Sequence, residues 1–284
     1  MNLDKFKISN GKNFKISEFK TDFTGDLDSK KEAEKRLKKN KEKMRELQDK
    51  FYAHDKFSLL IIFQAMDAAG KDSTIRNVFA QCDIGGINNV AFKQPSKEES
   101  SHDFLWRCNK HVPQRGQLTI FNRSYYEEVL VVKVHPEWLG SQKVEVPVTD
   151  EFWQNRYDSI NDFEKHLSLS GTKIIKFMLD VSQKEQHNRF VRRYKTPSKQ
   201  WKFSIGDLKE SKLWAEYQNA FDDLLKQTST ETNPWYVIPA DSKPFMRLLV
   251  TEILINELSQ LNPQYPPMEK IDEEDLKLIK HLMP

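Results

Sequence analysis

Residues 59–76, LLIIFQAMDAAGKDSTIR, constrain this chain more than any other stretch. The apolar run from Leu59 to Phe63 has the length and branching of a buried strand. It feeds a loop of small residues ending in Gly70-Lys71, and the polar residues that follow have the composition of a helix start. Strand, loop and helix in that order bring backbone N–H groups and a helix N-terminus to one point. Such a point attracts anions, and a glycine lets them approach closely. Lys71 adds a point charge suited to outer phosphates. The expected site is one that handles phosphate, lined by Ala68, Ala69, Gly70, Lys71, Asp72 and Ser73.

The loop departs from the common pattern GxxxxGK[ST] in ways that carry information. Ala65 stands at the first glycine, and Asp72 stands where a Mg²⁺-binding hydroxyl normally follows the lysine; Ser73 and Thr74 come later. An acid, Asp67, lies inside the loop. A carboxylate beside bound phosphate is repelled unless a cation lies between them. Asp67 therefore points to a bound Mg²⁺ or to a residue that orients the attacking phosphate oxygen. The plain alternative is a strand-to-helix turn that uses small residues for tight packing.

The chain has 284 residues, 31% of them charged, with a formal net charge of +3. No linker rich in Pro, Gly or Ser divides it, so one domain spanning 1–284 with appendages is expected. The near-balanced charge argues against a nucleic-acid coater. No apolar run approaches the ~20 residues of a membrane span, and MNLDKFKISN lacks the apolar core of a signal peptide. A cytoplasmic protein is expected, with Cys82 and Cys108 as free thiols.

Along the chain, residues 1–25 read as an extended arm and 28–54 as an amphipathic helix. Strands are expected over 89–93, 117–121, 173–181 and 235–239. Helices are expected over 73–80, 101–111, 150–169, 183–194, 208–228 and 243–260, and a charged terminal helix after the Pro-rich residues 263–267. Strands alternating with helices imply an α/β fold, a parallel sheet covered on both faces. Ligands of such sheets bind beyond the carboxyl ends of the strands. The candidates are then Asp67 to Lys71, Lys93, Asn122 to Ser124, and the segment after Val181.

Two further constellations fall on that rim. In FNRSYYEEVLV (121–131), Arg123 ends a strand and suits bidentate phosphate contact, with Glu127 and Glu128 on a following helix. A salt bridge from Arg123 to one of those glutamates is the structural alternative. In HNRFVRRYKTPSKQWKFS (187–204), Arg189, Arg192, Arg193, Lys195, Lys199 and Lys202 crowd together with little acid, Arg189 and Arg193 sharing a helix face. A polyanion would neutralise them, and the reading favoured is a mobile lid over 183–210 that closes on a transferring phosphoryl group. The histidines lack HExxH or other ligand spacing, and no GxSxG elbow is present.

QAMDAAGKD, FKQPS, HDFLW, HVPQRGQ, FNRSYYEEVLVVKVHP, EQHNRFVRR and KQWKFS-x-x-D resemble, in order over residues 30–260, the polyphosphate kinase 2 family, and in style its class III branch. The resemblance implies a P-loop kinase-like three-layer α/β/α sandwich with a helical lid. It implies phosphate transfer between inorganic polyphosphate and nucleoside mono- and diphosphates, a need for Mg²⁺ or Mn²⁺, and homodimers or homotetramers. Carried over by motif, Asp67 would bind metal and orient the acceptor, Lys71 would hold phosphate, and Arg123 would contact phosphate near the transfer point. Glu127 and Asn122 would lie on the acceptor side. Arg189 and Arg193 would be lid arginines, Lys199 and Lys202 would support the polyphosphate chain more loosely, and Lys93 is the weaker candidate. The chain departs from the family pattern at Ala65, in a short connection from Gly86 to Phe92, and at Asn122, where some branches carry aspartate.

The competing expectations are an ATP-dependent nucleoside or nucleotide kinase, which would share loop and lid, and a non-catalytic nucleic-acid-binding module, which the balanced charge and the acid in the loop disfavour. An NTPase switch would want the missing hydroxyl after Lys71.

Overall fold

Two strands, β2 (Ser58–Ala65, SLLIIFQA) and β5 (Thr172–Asp180, TKIIKFMLD), are largely apolar on both faces and are buried almost throughout, so they lie at the centre of the sheet. The computed structural model describes residues 1–270 apart from 13, 26 and 28, and beyond them only 275, 276, 279 and 282. Its elements in chain order are β1 (Lys7–Ile8), α1 (Lys30–His54), β2 (Ser58–Ala65), α2 (Lys71–Val78), β3 (Ile87–Ala91), α3 (Trp106–Asn109), β4 (Leu118–Asn122), α4 (Val131–Val134), α5 (Asp150–Leu169), β5 (Thr172–Asp180), α6 (Gln183–Lys195), α7 (Ile205–Glu210), α8 (Trp214–Thr228), β6 (Trp235–Pro239) and α9 (Lys243–Gln260).

The sheet order is β1-β6-β5-β2-β4-β3. Pairs β6-β5, β5-β2, β2-β4 and β4-β3 are parallel, and β1 pairs β6 antiparallel through Lys7 opposite Tyr236. The sheet is thus mostly parallel, with an antiparallel edge donated by the N-terminal arm, which also forms short 3-10 turns at Asp4–Phe6 and Ile16–Glu18. The parallel sheet expected from sequence thus gains one antiparallel edge strand, and the arm expected to be extended carries these short elements. The arm stays because Phe6 and Ile16 are buried in the core.

Side chains of opposite parity on a strand point to opposite faces, and β5 shows which helix covers which face. Lys173 pairs with Glu257 of α9 at 2.7 Å, whereas Lys176 pairs with Glu164 of α5 at 2.7 Å. α9 therefore covers one face and α5 the other. α1 and α2 pack with α9, and α8 packs with α5, giving three layers. α1 begins where the Ser29 hydroxyl caps the Glu32 N–H, and it buries Ala33, Leu37, Met44 and Phe51 as its periodicity requires. The Lys176–Glu164 pair is inaccessible to solvent. Lys176 also donates to Tyr126 Oη and to the Thr228 carbonyl, and Glu164 accepts from Tyr125 and Tyr126.

Two expected helices are shorter than sequence suggested. The one over 101–111 reduces to α3, because His102 is extended and the Asp103 carboxylate takes the Leu105 N–H in a turn. The one over 208–228 is split: α7, capped by Ser204, ends at Glu210, and α8 starts at Trp214 after a 3-10 turn over Ser211–Leu213. The connection before Phe92 is a turn at Ile84–Gly86 that runs directly into β3. The terminal helix expected after residue 267 lies largely outside the described residues. Among those described, no helix is long and apolar enough to cross a membrane.

Candidate active site

The carboxyl ends of β2, β4, β3 and β5 meet on one edge, and the loop of residues 66–70 turns there into α2. Ala68 (φ 62°) and Gly70 (φ 114°) are left-handed, a conformation that turns successive N–H groups the same way and makes a nest for an anion. At Gly70 a side chain would be strained by that φ and would touch Met246, Ser73 and Arg189. Lys71 is buried, and its ammonium donates to the Ala65 carbonyl at 2.8 Å. Burial, and then the nearby Arg123 guanidinium, pull its pKa below the usual lysine value. Ser73 spends its hydroxyl on the Gly70 carbonyl at 3.0 Å. Asp72 accepts from Asn122 at 2.6 Å, which ties the helix start to the end of β4.

Arg123 follows β4 in a left-handed backbone (φ 64°), unusual for a residue with a side chain, and its N–H donates across to the Phe63 carbonyl at 3.1 Å. That geometry turns the guanidinium over the loop. It donates to Asp67 at 2.7 Å and to Glu127 at 3.2 Å. Glu127 and then Asp67 hold it charged well above the ordinary arginine value, against the cost of burial. Arg123 thus makes the salt bridge of the structural alternative while standing on the rim. Glu127 sits on a 3-10 turn, Tyr125–Val129, rather than on the expected helix; the Ser124 hydroxyl takes the Tyr126 N–H and closes the turn tightly. Glu128 is taken up in a buried pair with Arg156 at 2.9 Å.

Two cavities meet at this ion pair, and Asp67, Phe92, Lys93, Gln94 and Arg123 line both. The first, of about 710 Å³, runs along the loop, α2 and α6. Among the described residues its walls carry ten lysines and arginines against Asp67 and Asp72. The second, of about 700 Å³, lies between β3, the Glu127 turn, α4, α7 and α8. Its walls mix Leu130, Val131, Val132, Trp138 and Phe221 with five acids and five cations. A polyanion fits the first chamber. A molecule with an apolar ring system and a short charged tail fits the second.

The expected lid residues divide. Arg193 lines the cationic cavity and pairs with Asp207 of the mixed cavity at 2.9 Å, and it donates to the Lys202 carbonyl. Burial, and then the Asp67 carboxylate, raise the Asp207 pKa. Lys199 and Lys202 line the cationic cavity from the turn after α6, and exposed Lys93 lines both. Arg189 is different. It is only 4% exposed, and its guanidinium is bonded on all sides: to Glu185 at 2.8 Å, to the carbonyls of Ala68 and Ala69, and to those of Ala240 (2.6 Å) and Asp241 (3.2 Å). It grips the carbonyl side of the loop, which leaves the N–H side for the cavity. It lines the cationic cavity from that buried position.

Several lining residues escaped the sequence reading. Lys243, at the start of α9, lines the cationic cavity. Arg107 is buried beside the mixed cavity, donating to the Lys93 carbonyl at 2.8 Å and lying over the Phe92 ring. Glu210 accepts from Tyr217 at 2.7 Å on the same wall. Asp207 closes the KQWKFS-x-x-D motif, a signal that was legible; the others come from elements far apart in sequence.

Among the described residues no group of three His, Cys, Asp or Glu side chains could hold a metal. Asp67, 27% exposed with one oxygen on Arg123, nonetheless fits Mg²⁺, which is commonly held by one or two carboxylates together with substrate phosphates and water.

A phosphate-cradling loop at the switch point of a mostly parallel α/β sheet, with a basic helix beside it, defines a P-loop kinase-like phosphotransferase. The family model for polyphosphate kinase 2 matches residues 27–266. An ADP-polyphosphate phosphotransferase of Rhodopseudomonas palustris is 41% identical over 264 residues, 92% of this chain and 91% of that protein. An AMP/ADP-polyphosphate phosphotransferase of Meiothermus ruber is 39% identical over 273 residues, 96% of this chain and 98% of that one. The crystal structure of polyphosphate kinase 2 from Arthrobacter aurescens TC1 superposes with a TM-score of 0.89 at 36% identity, covering 96% of this chain and 95% of that one. The chain belongs to the polyphosphate kinase 2 family.

Proposed function

We propose that this chain is a polyphosphate-dependent nucleotide phosphotransferase that uses the cationic cavity for inorganic polyphosphate and the mixed cavity for a nucleoside mono- or diphosphate. The observation that carries the reading is the meeting of two chambers of opposite character at Asp67 and Arg123. In this reading a terminal phosphate oxygen of the nucleotide attacks the end phosphorus of polyphosphate in line. A new P–O bond forms as the bridging P–O bond breaks, and the shortened chain leaves with the electron pair. Both bonds are phosphoanhydrides, so the reaction runs either way.

Phosphoryl transfer is accelerated chiefly by positioning and charge neutralisation. Lys71 exchanges its bond to the Ala65 carbonyl for a phosphate oxygen, and the loop N–H groups hold the phosphoryl group being transferred. Arg123 spans the two chambers and follows the charge as it moves. Glu127 orients Arg123 from the acceptor side, and Asn122 keeps Asp72 turned away from the phosphates. Arg193, Lys199 and Lys202 bind the donor chain. Arg189 acts as a positioning residue beneath the loop. Asp67 would hold Mg²⁺ or Mn²⁺ together with the phosphates, and the ion would supply neutralising charge between them.

The test is to incubate AMP or ADP with long-chain polyphosphate and Mg²⁺, without ATP, and to separate the nucleotides by chromatography. Formation of ADP or ATP is expected. Turnover that requires ATP as donor would replace this reading with that of an ATP-dependent kinase.

A further inference from the structure

The cationic cavity does not end at the loop and the basic helix. Lys243, half-buried at the first position of α9, lines it, and Arg247 follows one turn later on the same face. Across the seam between α9 and α1, Lys41 faces Arg247, in a register fixed nearby by the Asn40 to Thr251 hydrogen bond at 3.3 Å. Arg189, Arg192 and Lys199 face Lys243 from the other side. Counter-charge is sparse. Glu185 is taken by Arg189 at 2.8 Å and lies 3.8 Å from Arg192; Glu34 faces Arg247; Arg36 is already paired with Glu252.

Two details show that these cations are held together without enough partners of their own. Burial, and then the surrounding positive charges, pull the Lys243 pKa down to about 8. The Nε of Arg247 is buried with no hydrogen-bond partner. In addition, Ser242 offers no capping side chain to the first turn of α9. A row of like charges along a helix seam destabilises a fold unless something anionic spans it.

We propose that Lys243, Arg247 and Lys41 form a distal track for inorganic polyphosphate, which carries the chain out of the cationic cavity along the seam of α9 and α1 and makes affinity depend on chain length. The inference rests on reading that cavity as the donor site. A chain of a few phosphates fills the loop and the basic helix and ends there. A long one continues over Lys243 to Arg247 and Lys41, gaining a charge-assisted contact at each.

The test compares equilibrium binding of tripolyphosphate and of polyphosphate of about 100 units by calorimetry, alongside turnover with each. The proteins are the wild-type chain and the variants Lys243→Ala, Arg247→Ala and Lys243→Arg. The preference for the long chain over tripolyphosphate is expected to fall roughly tenfold in each alanine variant, as for loss of one charge-assisted contact, and to return in Lys243→Arg. Thermal unfolding of the free alanine variants should show no loss of stability, because each removes a repelled cation. An unchanged preference, or an equal loss for both chain lengths, would overturn the track. Binding with the expected length dependence but without phosphoryl transfer would uphold the track and sink the catalytic reading instead.

Discussion

The two chambers are nearly equal in volume, about 710 and 700 Å³, yet opposite in character. One is walled by lysines and arginines with almost no acid. The other sets apolar side chains among balanced charges. The difference traces to which elements supply each wall. The cationic chamber is built from the loop, α2, α6 and the turn after it, whose sequence is dense in Lys and Arg. The mixed chamber is built from the Glu127 turn, α4 and α8, whose inward faces are core-like. A reaction that passes one phosphoryl group between a polyanion and a nucleotide needs both environments to touch at one point, and here they touch at Asp67 and Arg123.

The strongest challenge to this division is to remove the shared wall. Asp67→Asn and Arg123→Ala should each lower turnover ~10³-fold or more, as loss of a transition-state arginine does in related chemistry. The loss should be the same whichever nucleotide is used, because both residues line both chambers. Far-UV circular dichroism should stay unchanged, since both side chains are partly exposed at the site. An Asp67→Asn enzyme with full activity would dissolve the assignment.

Each chamber also has one buried arginine that holds main-chain carbonyls, and these two should separate the sides. Arg189→Ala leaves the carbonyls of Ala68, Ala69, Ala240 and Asp241 without their donor and Glu185 without its partner. Breaking such a buried set costs about 3–5 kcal/mol of stability. KM for polyphosphate should rise roughly a hundredfold, with KM for the nucleotide little changed. Arg107→Ala frees only the Lys93 carbonyl, so a smaller effect is expected: about tenfold in the nucleotide KM, with the polyphosphate KM kept. If both variants shifted both constants equally, the chambers would not be separate subsites.

Much of this was legible in the chain, and the boundary is instructive. The loop announced itself because its chemistry is local: a strand, small residues, Gly70 and Lys71 lie within one short run. Arg123 and the basic run 187–204 could be singled out because each follows a strand that ends on the same edge. That Arg189 also holds the loop carbonyls was not legible, since a helix position alone does not reveal that they come to meet it. Arg107, Lys243 and Glu210 could not be found from spacing; their elements converge only when the sheet order is known. The β1 edge was missed because two residues give no periodicity to read, and α3 because Asp103 diverts the backbone into a turn. Lys176 sat unremarked in an apolar strand. Only burial against Glu164, Tyr126 and the Thr228 carbonyl explains why a lysine is there.

The smallest effect expected is also the one that distinguishes the chambers without altering Asp67 or Arg123. Lys243 lines the cationic chamber alone, and its pKa is lowered to about 8 by burial and then by Arg189, Arg192, Arg247 and Lys199. Its charged form, which attracts the donor, predominates below that value and is lost as pH rises through it. The kcat/KM for polyphosphate, which reports groups of the free enzyme, should therefore decline a few-fold between pH 7.5 and 9. The fall can approach tenfold per pH unit only if the charge on Lys243 is indispensable. The nucleotide kcat/KM at saturating polyphosphate should not show this step, because bound phosphate holds Lys243 protonated. Lys243→Arg, whose guanidinium stays charged throughout the range, should flatten the donor profile. A wild-type decline that persists unchanged in Lys243→Arg would belong to another group, with buried Lys71 the first to examine, since its pKa is lowered as well.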